Sequence, residues 1–342
     1  MSSPGQQRRR AGLRVPEGEA MPQHRMGSAP SLAQQGLAFS ALAWLMVLAC
    51  LWFPPLSAQA QLLMLSPVIL VLGVPHGALD LVYAWQLGGI RSLRGWSLFT
   101  IAYFAVAASV LLLWWLAPGT FLVAFLLISA FHFSGDPAGE TPTLLSAPST
   151  AEAGRPRGDQ AAKPHWLERT LYGGAVILCP LALHAAEVVQ LFTFLVGLPA
   201  AQAIVDVLHV AAWPWVAAIG VAAILGLRTA WVRNIELVSL AALLTFSPPL
   251  IGFTLFFCGM HSARHVLRTR DYSRAGTLRH LLRTVCWPML ATVVGVAIAV
   301  GCSSGEPLDL RLAQVLFVGL AALTVPHMIV VERVRLAGWV RG

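Results

Sequence analysis

Two histidines stand four residues apart in His261-Ser262-Ala263-Arg264-His265, at the end of a long apolar run. On a helix, side chains at i and i+4 share a face, so both imidazoles can reach one metal ion. Three more histidines sit near the ends of apolar runs, in Pro75-His76-Gly77-Ala78-Leu79-Asp80, Phe131-His132-Phe133-Ser134-Gly135-Asp136 and Pro326-His327-Met328-Ile329-Val330-Val331-Glu332. A lone HxxxH carries little information, since any histidine-rich helix produces one. Four such stretches become informative if the fold delivers them to one place.

Composition says what kind of fold that is. Hydrophobic residues make up 57% of the 342 and charged residues 11%, against about 25% charged in an ordinary soluble domain; the mean hydropathy is +0.71. The expectation is an all-α, polytopic bundle embedded in a lipid bilayer. The net charge of +8 is spread over short loops between apolar runs, a pattern of membrane orientation and not of nucleic-acid binding. Five scattered cysteines with no CxxC pair read as small core residues.

Residues 1–30 carry Arg8, Arg9, Arg10, Arg14 and Arg25 among Gly, Pro, Ser and Gln and read as a disordered basic arm, with Met21 or Met26 as alternative starts. Residues 31–342 read as a single transmembrane catalytic domain. Its apolar runs number about ten (eight to ten), many of them close to the roughly 20 residues that cross a bilayer core. The stretch 234–267, interrupted at Ser247-Pro248-Pro249, is either two short helices or one kinked span with a re-entrant piece. With both termini placed in the cytoplasm and ten alternating segments, 22 of the 23 Lys and Arg fall inside and only Arg311 falls outside, as the positive-inside rule requires. The loop 137–166, rich in Ala, Pro, Gly, Thr and Ser, reads as a flexible cytoplasmic connection. The outer stretch 187–206 reads as an amphipathic helix at the interface.

In this topology the four histidine stretches sit towards the inner ends of even-numbered segments, at one depth. Ionisable groups inside membrane segments are costly and point to function. Five imidazoles without a cysteine suit a first-row metal such as iron, copper or zinc. Asp80 follows His76 by four residues and Asp136 follows His132 by four, which places each to orient a neighbouring ligand's free ring N–H. Arg264 and Glu332 could complete such a network, and His327 is either a further ligand or an outer partner. Phe131, Phe133, Phe256 and Phe257 flank the site and could line an apolar substrate pocket or simply pack. The plain alternative is that each histidine bonds a neighbouring helix and nothing more. His24, His165, His184, His209 and His280 do not share the pattern and read as structural or solvated.

Taken together, PHGALD at 75–80, HFSGD at 132–136, HSARH at 261–265 and PHMIVVE at 326–332 resemble the Brp/Blh family of bacterial membrane β-carotene 15,15'-dioxygenases. The resemblance runs from about residue 35 to the end. It implies a multi-pass enzyme of the bacterial inner membrane that cleaves the central double bond of all-trans-β-carotene with O₂ to give two retinals. It also implies one iron(II) held by His76, His132, His261 and His265 as the catalytic metal ligands, with a retinal-accepting opsin as a candidate partner. Ser134 stands where the family's second motif has Gly directly after His-Phe, which leaves a related carotenoid open as the substrate. A membrane di-iron histidine-box oxidase or desaturase would need about eight histidines and HxxHH-type boxes, and this chain has no His-His pair. A metal or ion transporter would spread its polar residues across the bilayer, whereas here they gather at one end.

Overall fold

The computed structural model describes residues 32–54, 56–86, 90–135, 166–226, 231–273, 278–303 and 305–340. The basic arm 1–30, Asp136 and, apart from Trp166, the loop 137–166 lie outside them. Every regular element among the described residues is a helix. The chain starts with α1 (Leu32–Trp52) and α2 (Ala58–Val68), the latter capped by the Ser57 hydroxyl, which accepts from the Ala60 N–H at 3.2 Å. A wide π turn at Ile69–Gly73 leads into the short α3 (Pro75–Ala78) and α4 (Asp80–Gln86). The long α5 (Leu93–Leu116) is capped by Ser92, and α6 (Pro118–Phe133) opens on a proline, which suits a first helical position.

Pro180 divides α7 (Trp166–Leu178) from α8 (Leu181–Val196), which meet at a bend of 55°. Next come α9 (Leu198–Gly226) and α10 (Trp231–Phe246). The chain breaks at Ser247-Pro248 and resumes as α11 (Pro249–Leu255), a second π turn at Phe256–Ser262, and α12 (Ala263–Ser273). Two long helices, α13 (Leu278–Cys302) and α14 (Leu308–Val340), end the chain.

Burial sorts these helices into an inside and an outside. In α10, Leu237, Leu240, Leu243 and Leu244 are all buried, and they share one core with Phe39, Tyr172 and Phe256. On α5, by contrast, Ala107 is the one buried residue, while Leu98, Ile101, Phe104 and Trp115 face outward. A helix that is apolar all round yet exposed belongs in lipid, where no water penalises its surface. Among the described residues, six helical stretches are long and apolar enough to cross a membrane, or seven if the bent α7–α8 pair is one span. Of the remaining apolar runs, α6 and α10 have 16 residues each, short of the roughly 20 that span a bilayer upright.

One local reading changes and one open alternative is decided. The stretch 187–206 is not one interfacial helix: its first part completes α8 and its second part opens α9, with the division at Gly197. The interruption at Ser247-Pro248 separates two helices, because Pro249 has no N–H with which to continue α10.

Candidate metal centre

His76 lies on α3, directly after the first π turn. Its ring Nδ1 contacts the Gly73 carbonyl. A carbonyl can only accept, so Nδ1 carries the proton and Nε2 keeps its lone pair. Ser262 braces the same turn from across the bundle, donating to the carbonyls of Leu72 at 2.7 Å and Gly73 at 3.2 Å. The two π turns come this close because Gly73 has no side chain: a Cβ there would lie 2.4 Å from Cε1 of Phe257. Wide turns of this kind often mark functional sites.

The second turn carries His261, and His265 follows on α12. His132 arrives on the last turn of α6 and His327 on α14. The five imidazoles meet. The His76 ring centre lies 4.9 Å from those of His261 and His327 and 5.8 Å from that of His265. His132 lies 4.8 Å from His261 and 5.4 Å from His327, ring centre to ring centre. The Nε2 atoms of His132 and His261 are 3.2 Å apart. All five rings are buried.

Three of the rings are incompletely bonded. His132 Nδ1, His265 Nε2 and His327 Nε2 are buried without a hydrogen-bond partner, although buried polar atoms are otherwise almost always paired. Ligand nitrogens of His76, His132 and His327 all lie within 4.8 Å of one another. Buried imidazoles with unpartnered nitrogens converging on one place suit a first-row metal ion, so the residues present fit such a group.

The outer partners are distributed as follows. Asp80 accepts from His327 Nδ1 at 2.7 Å, and its other oxygen accepts from the Tyr103 hydroxyl at 3.0 Å. Arg264 is engaged elsewhere: it is fully buried and forms paired 3.0 Å bonds with Glu236 on α10, while its Nε donates to Gln35 of α1 at 2.9 Å. Glu332 lies five residues beyond His327 on α14, more than a turn away. Of the phenylalanines, Phe257 stacks on His261 and Phe133 meets it edge-on. Phe256 is wholly buried behind Phe133, and Phe131 is 59% exposed on the outer surface. Outside the cluster, His184 is paired with Glu187 and His209 with the Leu181 carbonyl.

An apolar cavity of about 1030 Å³, its mouth included, ends on His76, His132 and His261. Its wall follows α6 from His132 back to Leu122 and also takes in Phe192, Leu195, Phe253 and Phe317. Ser129 and Thr324 bring hydroxyls to it, each one turn before a cluster histidine. Tyr103, Glu236 and Gln35 were not singled out from the sequence. Glu236 had a readable signal, a carboxylate inside an apolar run. Tyr103 had a weaker one, as a phenol in the middle of a lipid-facing helix.

The arrangement defines a class: an all-helical bundle with membrane-spanning character, whose buried histidine cluster closes an apolar cavity. A family model described as β-carotene 15,15'-dioxygenase matches residues 67–334, and the chain belongs to that family. The chain is also 25% identical, over 269 residues, to a β-carotene 15,15'-dioxygenase of uncultured marine bacterium 66A03; the match covers 78% of this chain and 90% of that protein. No solved structure matches.

Proposed function

We propose that this protein cleaves the central 15,15' double bond of all-trans-β-carotene with O₂, releasing two molecules of all-trans-retinal. The carbon–carbon double bond is broken and each carbon takes one oxygen atom, so both atoms of O₂ enter product. The single observation that carries this reading is a cluster of five buried imidazoles, three of which (His76, His132 and His261) line an apolar cavity, in a chain of the β-carotene dioxygenase family. His76, His132, His261 and His265 would hold iron(II). When bound, the iron supplies the redox centre that lets O₂ react with an alkene. The chain's own residues do the rest. Gly73 and Ser262 fix the turn that aims His76, and Phe133 and Phe257 keep water from His261. Leu122, Phe192 and Leu195 offer a polyene a wall without competing hydrogen bonds.

The same reading takes residues 31–342 as one catalytic domain of the bacterial inner membrane, with about ten segments, both termini cytoplasmic and the carotenoid entering from the bilayer. A retinal-accepting opsin is a candidate recipient of the product. Expression in a β-carotene-accumulating bacterium tests the activity. Orange colour should fade and retinal should appear, and His261→Ala should abolish both changes. Persistent colour in cells whose membranes hold the iron-loaded protein would rule out β-carotene as the substrate.

A further inference from the structure

We propose that His327 is itself a metal ligand, presenting Nε2 to the ion while Asp80, anchored by Tyr103, holds its Nδ1–H. The inference rests on the iron-site reading above and adds a residue to it. Four observations carry it. First, His327 is 1% exposed and its Nε2 has no partner. Second, its Nδ1 lies 2.7 Å from Asp80 Oδ1, and an ionised carboxylate accepts the ring N–H there. A neutral imidazole donating from Nδ1 keeps its lone pair on Nε2.

Third, the ring lies among the metal-site histidines and nearer to His76 than His265 does, at 4.9 Å against 5.8 Å between ring centres. Its ligand nitrogen also belongs, with those of His76 and His132, to the set spanning no more than 4.8 Å. Fourth, Asp80 is held in turn, its second oxygen accepting from Tyr103 at 3.0 Å. A carboxylate on the far nitrogen is the usual means of orienting a metal-bound imidazole and raising its basicity. A purely structural histidine needs the Asp80 bond but has no use for a bare buried nitrogen among other imidazoles.

The test uses the full-length protein purified in lipid nanodiscs, with two readouts besides turnover: iron retained against a chelator, and the visible bands of the cobalt(II)-substituted protein. His327→Gly should lose at least about tenfold in metal affinity and shift the cobalt bands, and added imidazole should restore them. Asp80→Asn keeps an acceptor for the ring N–H and so keeps the fold. It should weaken metal retention by about tenfold, with Tyr103→Phe following in the same direction by less.

Wild-type affinity and unchanged bands in a folded His327→Gly protein would overturn the proposal while leaving the four-histidine site standing, provided His261→Ala does lose the metal. Should His327→Gly fail to fold, Asp80→Asn decides: shifted bands support ligation and unchanged bands with unchanged retention refute it. A wild-type protein that takes up no metal would remove the iron-site reading and this one together.

Discussion

Two buried polar clusters flank the π turn at Phe256–Ser262, and they are built on opposite plans. Around Arg264 the charges are closed off: the guanidinium meets both Glu236 oxygens at 3.0 Å, Gln35 Oε1 at 2.9 Å and the Leu32 carbonyl at 3.5 Å. Gln35 in turn donates to the carbonyls of Gly259 at 2.9 Å and Met260 at 3.4 Å, within the wide turn itself. Around His76 the cluster is open, with unpartnered nitrogens on His132, His265 and His327. A buried polar atom left unbonded costs about 1–3 kcal/mol. The Arg264 cluster carries out structural work alone, fixing α1 and α10 against the turn that bears His261. The imidazole cluster has spare valence, the mark of a site meant to receive something.

The comparison breaks first at Arg264. Arg264→Met strands the Glu236 carboxylate in the core and should cost about 3–5 kcal/mol, read as a collapse in folded protein on size-exclusion chromatography. The double variant Arg264→Met/Glu236→Leu should recover most of that loss, since a well-packed apolar pair can replace a buried ion pair. At the open cluster the sign is reversed and stability should come from outside. Iron at a hundredfold its dissociation constant should stabilise the native protein by about 2.7 kcal/mol, visible as a raised melting temperature. His132→Ala should lose most of that rise.

A finer probe separates the two duties of Gln35. Gln35→Glu can still accept from Arg264 but cannot donate to Gly259 or Met260. It should cost about 1 kcal/mol and loosen iron retention without unfolding the protein. The smallest effect belongs to Phe131, which faces outward and joins neither cluster. Phe131→Ala should change melting temperature and retinal yield little, within about 0.5 kcal/mol.

The imidazole cluster was legible in sequence because its members sit at matching ends of apolar runs, and depth in a bilayer follows from topology. The partner of Asp80 was not. Its position four residues after His76 pointed to a neighbouring ligand's ring N–H without saying which, and the chain is not a continuous helix there: α3 ends at Ala78 and α4 begins at Asp80. The ring it holds belongs to a residue 247 positions away, a pairing that only tertiary packing creates. Arg264 misled for a related reason. It sits between two cluster histidines in sequence, yet position on the helix sends it to α10. The part played by α1 was hidden as well. The chain reads there as one more apolar run, but Gly36 must lack a side chain because a Cβ would stand 1.7 Å from Glu236 Oε1.

The second π turn acts as a phase shifter. Each residue of an α-helix advances the chain by about 100°, so removing any one of the seven residues Phe256–Ser262 would rewind the turn and rotate everything beyond it by about that angle. Arg264 would swing away from Glu236 and His265 away from the other rings, although every residue on either side kept its identity. Point substitutions inside the turn at positions other than His261 and Ser262 should therefore be far better tolerated than a single in-frame codon deletion. Here the number of residues, more than their nature, keeps the two clusters apart.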